Sequence, residues 1–199
     1  MSGTYPVASN RICLTLVTNL SSAMLVKPCM QIRELTKSDA LEYRGLRLRA
    51  LKEYPTVFSS SYEVEREWPL ARFADRLAET PGSTDAFMLG CFVEDDLVGS
   101  LGFFRYEAPK EMHTGRIIAV HVAAEHQGSG YGRAMVAAAL ERARRISGLS
   151  TIQLTATTTN EPAKSLYASF GFEICGTTPR AMLVEGEYID EHLMVLKLD

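Results

Sequence analysis

The chain has 199 residues, of which 46% are hydrophobic and 23% are charged, a composition typical of one globular domain. Its formal net charge of −3 gives no overall attraction to nucleic acids or to anionic membranes, so we expect neither as a partner. The cysteines and histidines are scattered without metal-ligand spacing, and we expect no metal site and reduced thiols in the cytoplasm.

The first 29 residues differ from the remainder of the chain. Residues 12–26 are apolar enough to resemble a signal peptide, but polar residues interrupt them and no small-residue cleavage site follows. The segment is also too short and too polar to span a bilayer. We therefore expect residues 1–29 to be a disordered or misassigned leader and residues 30–199 to form the domain.

One strand and two helices are predicted at the start of the domain. Residues 30–35 alternate apolar and polar side chains, which is typical of a strand. Asp39 can cap a helix that ends at Pro55. Pro69 suits the first turn of a second helix, because proline lacks the amide hydrogen that this position leaves unpaired.

Three strands are predicted next. Two apolar runs, Ala86–Val93 and 97–106, are separated by three acidic residues and predict a hairpin. Residues 116–122 are apolar at nearly every position, which predicts a central strand covered on both faces.

The last part of the chain alternates helices and strands. An apolar pattern of helical period follows residue 130 and stops at Gly148. Thr151–Thr157 is β-branched and strand-like, and Pro162 predicts the first turn of a short helix. Residues 172–177 and 187–198 predict two final strands. The order β-α-α-β-β-β-α-β-α-β-β predicts a mixed α/β layer structure.

The most informative stretch is 126–135, which joins the predicted central strand to a helix. Its three glycines, Gly128, Gly130 and Gly132, let the backbone approach a ligand closely. The helix directs its free amide groups and positive dipole end at them, which predicts a phosphate site. No lysine follows as in a P-loop, and the spacing and late position differ from a dinucleotide fingerprint.

Several motifs in order resemble the GNAT superfamily of N-acetyltransferases. Gln127-x-x-Gly130-x-Gly132 resembles its coenzyme-A signature, and residues 119–122 resemble its fourth strand. Residues 160–172 and 188–197 resemble its second motif and its last strand. The resemblance implies an α/β (α+β mixed) fold with a mostly antiparallel sheet of six or seven strands. That sheet is splayed between strands 4 and 5 and flanked by about four helices.

The resemblance also implies acetyl-CoA as the acyl donor. Its pantetheine arm would lie between strands 4 and 5 and pair with the backbone of Val120 and Val122. Its pyrophosphate would lie on the amide groups of seven consecutive residues: Gln127, Gly128, Ser129, Gly130, Tyr131, Gly132 and Arg133. The Arg133 side chain would add a contact.

Two residues of the second motif receive roles from the resemblance. Asn160 would bond the pantetheine or hold the strands apart, whereas its position before Pro162 also makes it a helix cap. Tyr167 would be the general acid for the leaving thiolate, with an aromatic core residue as the alternative. We expect no covalent acyl-enzyme, because Cys91 and Cys175 lie in apolar runs as small hydrophobes.

The general base is left open. Histone-type members carry a glutamate early in strand 4, and the matching position here is Arg116, so this part of the resemblance fails. The alternatives are Glu125, His121, His113 and Glu191. A water chain acting on an amine of low pKa needs no strong base.

Acceptor specificity is expected from three segments, residues 44–68, 107–113 and 178–188. The candidate pocket aromatics are Phe58, Tyr62 and Trp68. The acidic residues that could attract a cationic amine are Glu63, Glu65 and Glu67, with an amphipathic surface stretch as the alternative interpretation of all six.

The sequence thus predicts direct transfer of the acetyl group of acetyl-CoA to a primary amine of a small molecule or peptide. A non-catalytic acyl-CoA-binding or sensor module on the same fold is the alternative, kept open by Arg116. A nucleotide-binding enzyme on another α/β fold is a third interpretation. The sequence does not name the acceptor or the oligomeric state, although a homodimer is a common outcome for soluble chains.

Overall fold

A computed structural model describes residues 29–78 and 85–198 of the chain. The strands in these ranges are β1 Met30–Glu34, β2 Ala86–Val93, β3 Asp96–Arg105, β4 Thr114–Val122, β5 Thr151–Thr157, β6 Glu173–Val184 and β7 Glu187–Lys197. The α-helices are α1 Ala40–Glu53, α2 Tyr62–Glu65, α3 Leu70–Ala78, α4 Tyr131–Ala143 and α5 Glu161–Ala168. The predicted leader lies, except for its last residue, outside the described residues.

All seven strands form one sheet in the order β1-β2-β3-β4-β5-β7-β6. Every neighbouring pair is antiparallel except β4 and β5, which are parallel. A parallel pair needs a crossover connection, and α4 provides it. The predicted mixed α/β fold with a mostly antiparallel sheet is confirmed.

The sheet is covered on both faces. On one face α4 contributes side chains at helical spacing to a large core. The buried members on that helix are Met135, Val136, Ala139, Leu140 and Ala143. On the other face α1 and α3 pack over β2 through a second core that includes Tyr43, Phe73 and Met88. Each fully buried aliphatic or aromatic side chain contributes roughly 1.5–3 kcal/mol, so these two cores fix the sheet on which the site is built.

Two elements differ from the sequence prediction. The short helix α2 lies between the two predicted helices, where no helix was predicted, and the buried Glu65 at its end pairs with Arg47 of α1. Strand β6 continues to Val184, beyond the predicted end at residue 177. Pro179 lies within this extension. The proline is tolerated because β6 is an edge strand whose register with β7 shifts between Thr178 and Met182.

No helix in the described ranges has the length and apolar character needed to cross a membrane.

Candidate functional site

Strands β4 and β5 pair only at their first three residues. The three pairs are Thr114 with Thr151, Gly115 with Ile152 and Arg116 with Gln153. Beyond these three pairs, β4 and β5, which are both described in full, form no further backbone pairing. The splay that the sequence resemblance implied is therefore present.

An extra residue in β4 accompanies this separation. In the ladder with β3, Ser100 lies opposite His121. Gly102, two residues further along β3, lies opposite Ile118, three residues back along β4. Ala119 lies inside this bulge with a φ of 52°, a left-handed conformation that costs an L-residue roughly 1–2 kcal/mol. Because bulges increase strand twist, this one turns the end of β4 away from β5.

A cavity of 330 Å³ lies at the separation of the two strands. Its walls come from the loop after α1, from β3, β4, β5 and β7, and from α5. The lining residues of β4 are Arg116, Ile117, Ile118, Ala119 and Val120. The half of β4 that we predicted to be covered on both faces therefore borders a cavity instead, and Ile118 is 39% exposed.

The glycine-rich turn takes the conformation that its sequence requires. Gly128 and Gly130 have φ values of 74° and 86°, in the region that favours glycine. A Cβ at either position would meet no atom within 4 Å, so the turn is open on its outer side. Helix α4 begins directly after Gly130, and its first amides have no partner within the helix. Gly132 differs, because a Cβ there would make ordinary contacts with Leu166 and Val122 at 3.6 and 3.8 Å.

The Gln127 side chain ties the turn to two other elements. Its Nε2 donates to the carbonyl oxygen of Val122 at 2.9 Å and to the hydroxyl of Tyr54 at 2.9 Å. The first bond joins the turn to the end of β4, and the second joins it to the residue after α1. Val122 also pairs with Gly99 of β3 and does not line the cavity, whereas Val120 does.

Tyr167 lies on α5 with only 6% of its surface exposed, and it lines the cavity. Its ring packs edge-on against Phe172 at a centroid distance of 6.0 Å. Burial raises the pKa of the Tyr167 hydroxyl to about 12, so the group keeps its proton at neutral pH. A retained proton is what a general acid needs.

Asn160 and Arg133 both have partners within the protein. Asn160 caps α5, since its Oδ1 accepts from the amide of Ala163 at 3.1 Å, and it also lines the cavity. Arg133 is exposed, donates to the hydroxyl of Ser169 at 2.7 Å and lies over the Phe170 ring at 5.0 Å. The cap that we predicted for Asn160 is present, and it leaves the residue at the cavity wall.

The candidate bases lie in four different environments. Glu125 is exposed and paired with Arg49, whose guanidinium lowers the pKa of that carboxyl to about 2. His121 is buried, and burial lowers its pKa to about 4, so its ring is neutral at pH 7. His113 is exposed in the loop before β4. Glu191 is the only one of the four that lines the cavity.

The loop between α1 and α2 forms the apolar wall of the cavity through Val57, Phe58 and Ser59. Phe58 lies under the guanidinium of Arg47 at 5.0 Å. Arg47 in turn bonds both carboxylate oxygens of Glu65, at 3.1 and 2.9 Å. Glu65 is thus committed to a buried ion pair and does not face the cavity.

The other acceptor candidates lie elsewhere. Tyr62 and Trp68 do not line the cavity, and Trp68 packs on Phe73 at a centroid distance of 5.8 Å. Glu63 and Glu67 are exposed and pair with Arg66. No residue of the predicted segments 107–113 and 178–188 lines the cavity.

Some wall residues were not singled out from the sequence. They are Val57, Ser59, Phe104, Ile117, Ile118, Leu154, Thr155, Ala156, Thr157 and Ala163. Strand alternation was the available signal, but the bulge at Ala119 breaks it. Cys91 is buried as predicted and burial raises its pKa to about 11, whereas the prediction for Cys175 is wrong because that residue is exposed on β6.

Comparison with known proteins gives this architecture a family. The model of the acetyltransferase (GNAT) family matches residues 48–172. Because the match covers more than half of the chain, the protein belongs to the GNAT family of acetyltransferases. It is an acetyl-CoA-dependent N-acetyltransferase, whose reaction moves an acetyl group from acetyl-CoA to an amine.

Individual relatives agree with this family. The chain is 26% identical over 151 residues to the L-amino acid N-acetyltransferase AaaT of Escherichia coli K12, covering 74% of this chain and 88% of the relative. A GNAT acetyltransferase from Streptococcus pneumoniae superposes with a TM-score of 0.79 at 24% identity, over 85% of this chain and 99% of that one. The yncA protein of Salmonella typhimurium, solved with its cofactor acetyl-CoA, gives 0.69 at 21% identity, over 85% and 94%. The two structures share the fold.

Proposed function

We propose that this acetyltransferase acts on the primary amine of a small molecule, and that the acetyl group is transferred directly at the cavity beside β4. The observation that carries the proposal is the separation of β4 from β5 next to a buried tyrosine. Peptide amines remain the alternative acceptor class.

The chain offers a matching site for the donor. The residues that would hold acetyl-CoA are Val120, Val122, Gln127, Gly128, Ser129, Gly130, Tyr131, Gly132, Arg133 and Asn160. The open turn at Gly128 and Gly130 fits a phosphate group, because a Cβ there would occupy empty space on the outer side. The amides at the start of α4 would stabilise a negative charge by about 0.3–1 kcal/mol each. When bound, acetyl-CoA supplies the thioester that carries the acetyl group.

Tyr167 would supply the proton that the leaving thiolate requires. The new bond joins the amine nitrogen to the acetyl carbon, and the carbon–sulfur bond breaks. The hydroxyl of Tyr167 protonates the sulfur and recovers its proton from solvent, while the amine loses a proton to water or to a nearby base. The burial that raises the pKa of Tyr167 favours the protonated form before the reaction.

An amino acid is the acceptor we favour. AaaT, the relative described above, is named as an L-amino acid N-acetyltransferase. An α-amine also has a lower pKa than a lysine side chain, so less free energy is needed to deprotonate it at pH 7. The apolar wall at Val57 and Phe58 suits an acceptor with an apolar side chain.

Two measurements test the proposal. Isothermal titration with acetyl-CoA should show saturable binding to the purified chain. Thiol release should then be followed with L-amino acids, polyamines and a lysine peptide, and mass spectrometry should identify the product. Acetylation of the lysine peptide alone would contradict a small-molecule acceptor, and binding without thiol release from any amine would indicate the sensor module. The cytoplasmic location, the homodimer and the domain boundary at residue 30 stay predictions.

A further inference from the structure

The side chain of Arg116 lies at an unusual place for a cation. It belongs to the last residue pair that β4 and β5 share, and it lines the cavity where the strands separate. Its antiparallel partner on β3, Phe104, lines the same cavity. Arg116 is partly buried, so its guanidinium loses some of its hydration.

No carboxylate of the described residues lies within ion-pair distance of Arg116. Its Nη1 donates a hydrogen bond of 3.5 Å to the hydroxyl of Tyr106. Other arginines with restricted exposure have carboxylate partners. Examples are Arg33 with Asp39 at 2.6 Å, Arg47 with Glu65 at 2.9 Å and Arg142 with Glu34 at 2.7 Å. Arg44 also has no carboxylate, but it donates to a backbone carbonyl and does not line the cavity.

The cavity also contains one acidic side chain of opposite sign, Glu191 of β7. Glu191 lies opposite Thr157 of β5 in the sheet, and both residues line the same cavity as Arg116. A cation and an anion in one small cavity with apolar walls at Phe58 and Phe104 match a molecule that carries both charges and an apolar group. An α-amino acid is such a molecule.

We propose that Arg116 binds the carboxylate of the acceptor and makes the enzyme select amines that carry one. This inference rests on the proposed small-molecule acceptor and names the residue that determines its specificity. A guanidinium bonds a carboxylate through two parallel hydrogen bonds, which gives both strength and orientation. The residue that stands in place of the glutamate of histone-type members would then be a substrate-binding group and not a base.

The test compares amino acids with their amides, which keep the amine and the side chain but lose the negative charge. Five L-amino acids of different side chain, each with its amide, should be assayed for kcat/KM with the wild-type chain, Arg116→Gln and Arg116→Lys. Arg72→Gln is the matched control, because Arg72 is an exposed arginine on α3 that does not line the cavity. Thermal unfolding of each variant checks that it is folded.

We expect at least one amino acid to exceed its amide by about tenfold or more with the wild type. Arg116→Gln should lower kcat/KM for that amino acid about ten- to hundredfold, chiefly through KM, and change the amide value less than twofold. Arg116→Lys should retain part of the preference, and Arg72→Gln should retain all of it. Equal values for acid and amide with the wild type, or an equal loss for both in Arg116→Gln, would overturn the inference.

A binding measurement separates this inference from the proposed function. Titration of an N-acetyl amino acid and its amide, the products of the reaction, requires no turnover. If the acid binds more tightly than the amide and Arg116→Gln loses this preference, carboxylate recognition is supported even where the assay shows no acetyl transfer. Absence of that preference rejects it even where transfer to other amines is found.

Discussion

At the scale of single residues, the glycine-rich turn combines two kinds of glycine. Gly128 and Gly130 have positive φ values, so another residue is strained there whatever space surrounds it. Gly132 lies inside α4 and has room for a methyl group. The sequence alone does not distinguish the three glycines, because the conformation of each one depends on where α4 begins.

Gly130→Ala should weaken acetyl-CoA binding, because alanine at a φ of 86° strains the turn by roughly 1–2 kcal/mol and displaces the amides at the start of α4. The matched control is Gly186→Ala, at a φ of 88° in the turn between β6 and β7. Titration should give a higher Kd for Gly130→Ala and a Kd unchanged from wild type for Gly186→Ala, with similar losses of stability in urea. The same Kd in both variants would show that the turn does not hold the donor.

Tyr167→Phe should reduce kcat by about a hundredfold, because it removes the proposed proton donor. The Kd for acetyl-CoA should change less than twofold, since the ring and its contact with Phe172 remain. Tyr43→Phe is the control, because Tyr43 is a buried tyrosine of the second core, and its hydroxyl lies within hydrogen-bond distance of no partner in the described part of the chain. Single-turnover rates of the three proteins across pH 6–9 check this, and a wild-type rate in Tyr167→Phe would exclude the acid role.

At the scale of elements, the loop between α1 and α2 is positioned by a buried ion pair. Arg47 and Glu65 have side-chain exposures of 8% and 1%, and Arg47 also supports Phe58 at the cavity wall. The geometry of the cavity wall therefore depends on a contact outside the cavity.

Glu65→Ala should destabilise the protein by about 3–5 kcal/mol, because it leaves the Arg47 guanidinium buried without its partner. It should also raise KM for the acceptor, as Phe58 loses its support. Glu63→Ala, which removes an exposed carboxylate from the same helix, should cost no more than about 0.5 kcal/mol. Urea denaturation and steady-state kinetics measure both effects, and equal losses in the two variants would contradict the role of the ion pair.

Local patterns predicted most elements, and long-range contacts account for the rest. Strand β5 matched its predicted bounds because its β-branched run and flanking turns are encoded within a few residues. The glycine-rich turn was predicted for the same reason. The cavity wall combines Phe58, Phe104, Arg116 and Glu191 from four distant parts of the chain, and nothing in their spacing indicates that they meet. Helix α2 depends in the same way on the distant Arg47.

At the scale of the whole molecule, His121 connects the sheet to the layer formed by α1 and the loop after it. Its ring lies 5.6 Å from that of Tyr54 and 6.2 Å from that of Phe58, measured between centroids. Its Nε2 is buried and has no hydrogen-bond partner among residues 29–78 and 85–198. Nearby charges of both signs, including Glu53 and Arg49, affect its pKa less than burial does.

The stability of the fold should therefore fall between pH 6.5 and about 4. The folded-state pKa of His121 is lowered from 6.5 to about 4, so within this window the unfolded chain binds a proton that the folded chain does not. The stability is complete above pH 6.5 and decreases as the pH falls, by up to about 3 kcal/mol.

Urea denaturation at several pH values checks this expectation. His121→Leu should lose less stability than the wild type across the window, whereas His126→Leu, which alters a more accessible histidine, should follow the wild type. The loss of stability that follows protonation of Asp39 occurs at lower pH, because Arg33 lowers the pKa of that carboxyl to about 2. Identical pH profiles for wild type and His121→Leu would contradict the assignment.

The extra residue in β4 has a consequence for how substitutions in this strand are interpreted. Side chains alternate between the two faces of a sheet, so one inserted residue reverses the alternation of everything that follows it. Ile117, before the bulge, belongs to the core under α4, whereas His121, an even number of residues later, contacts Tyr54 and Phe58 on the opposite face. Deletion of Ala119 would restore simple alternation and leave residues 120–122 on the faces that they occupy now. The deletion would therefore change the twist of β4 beside the cavity without exchanging the side chains on the two sides of the sheet.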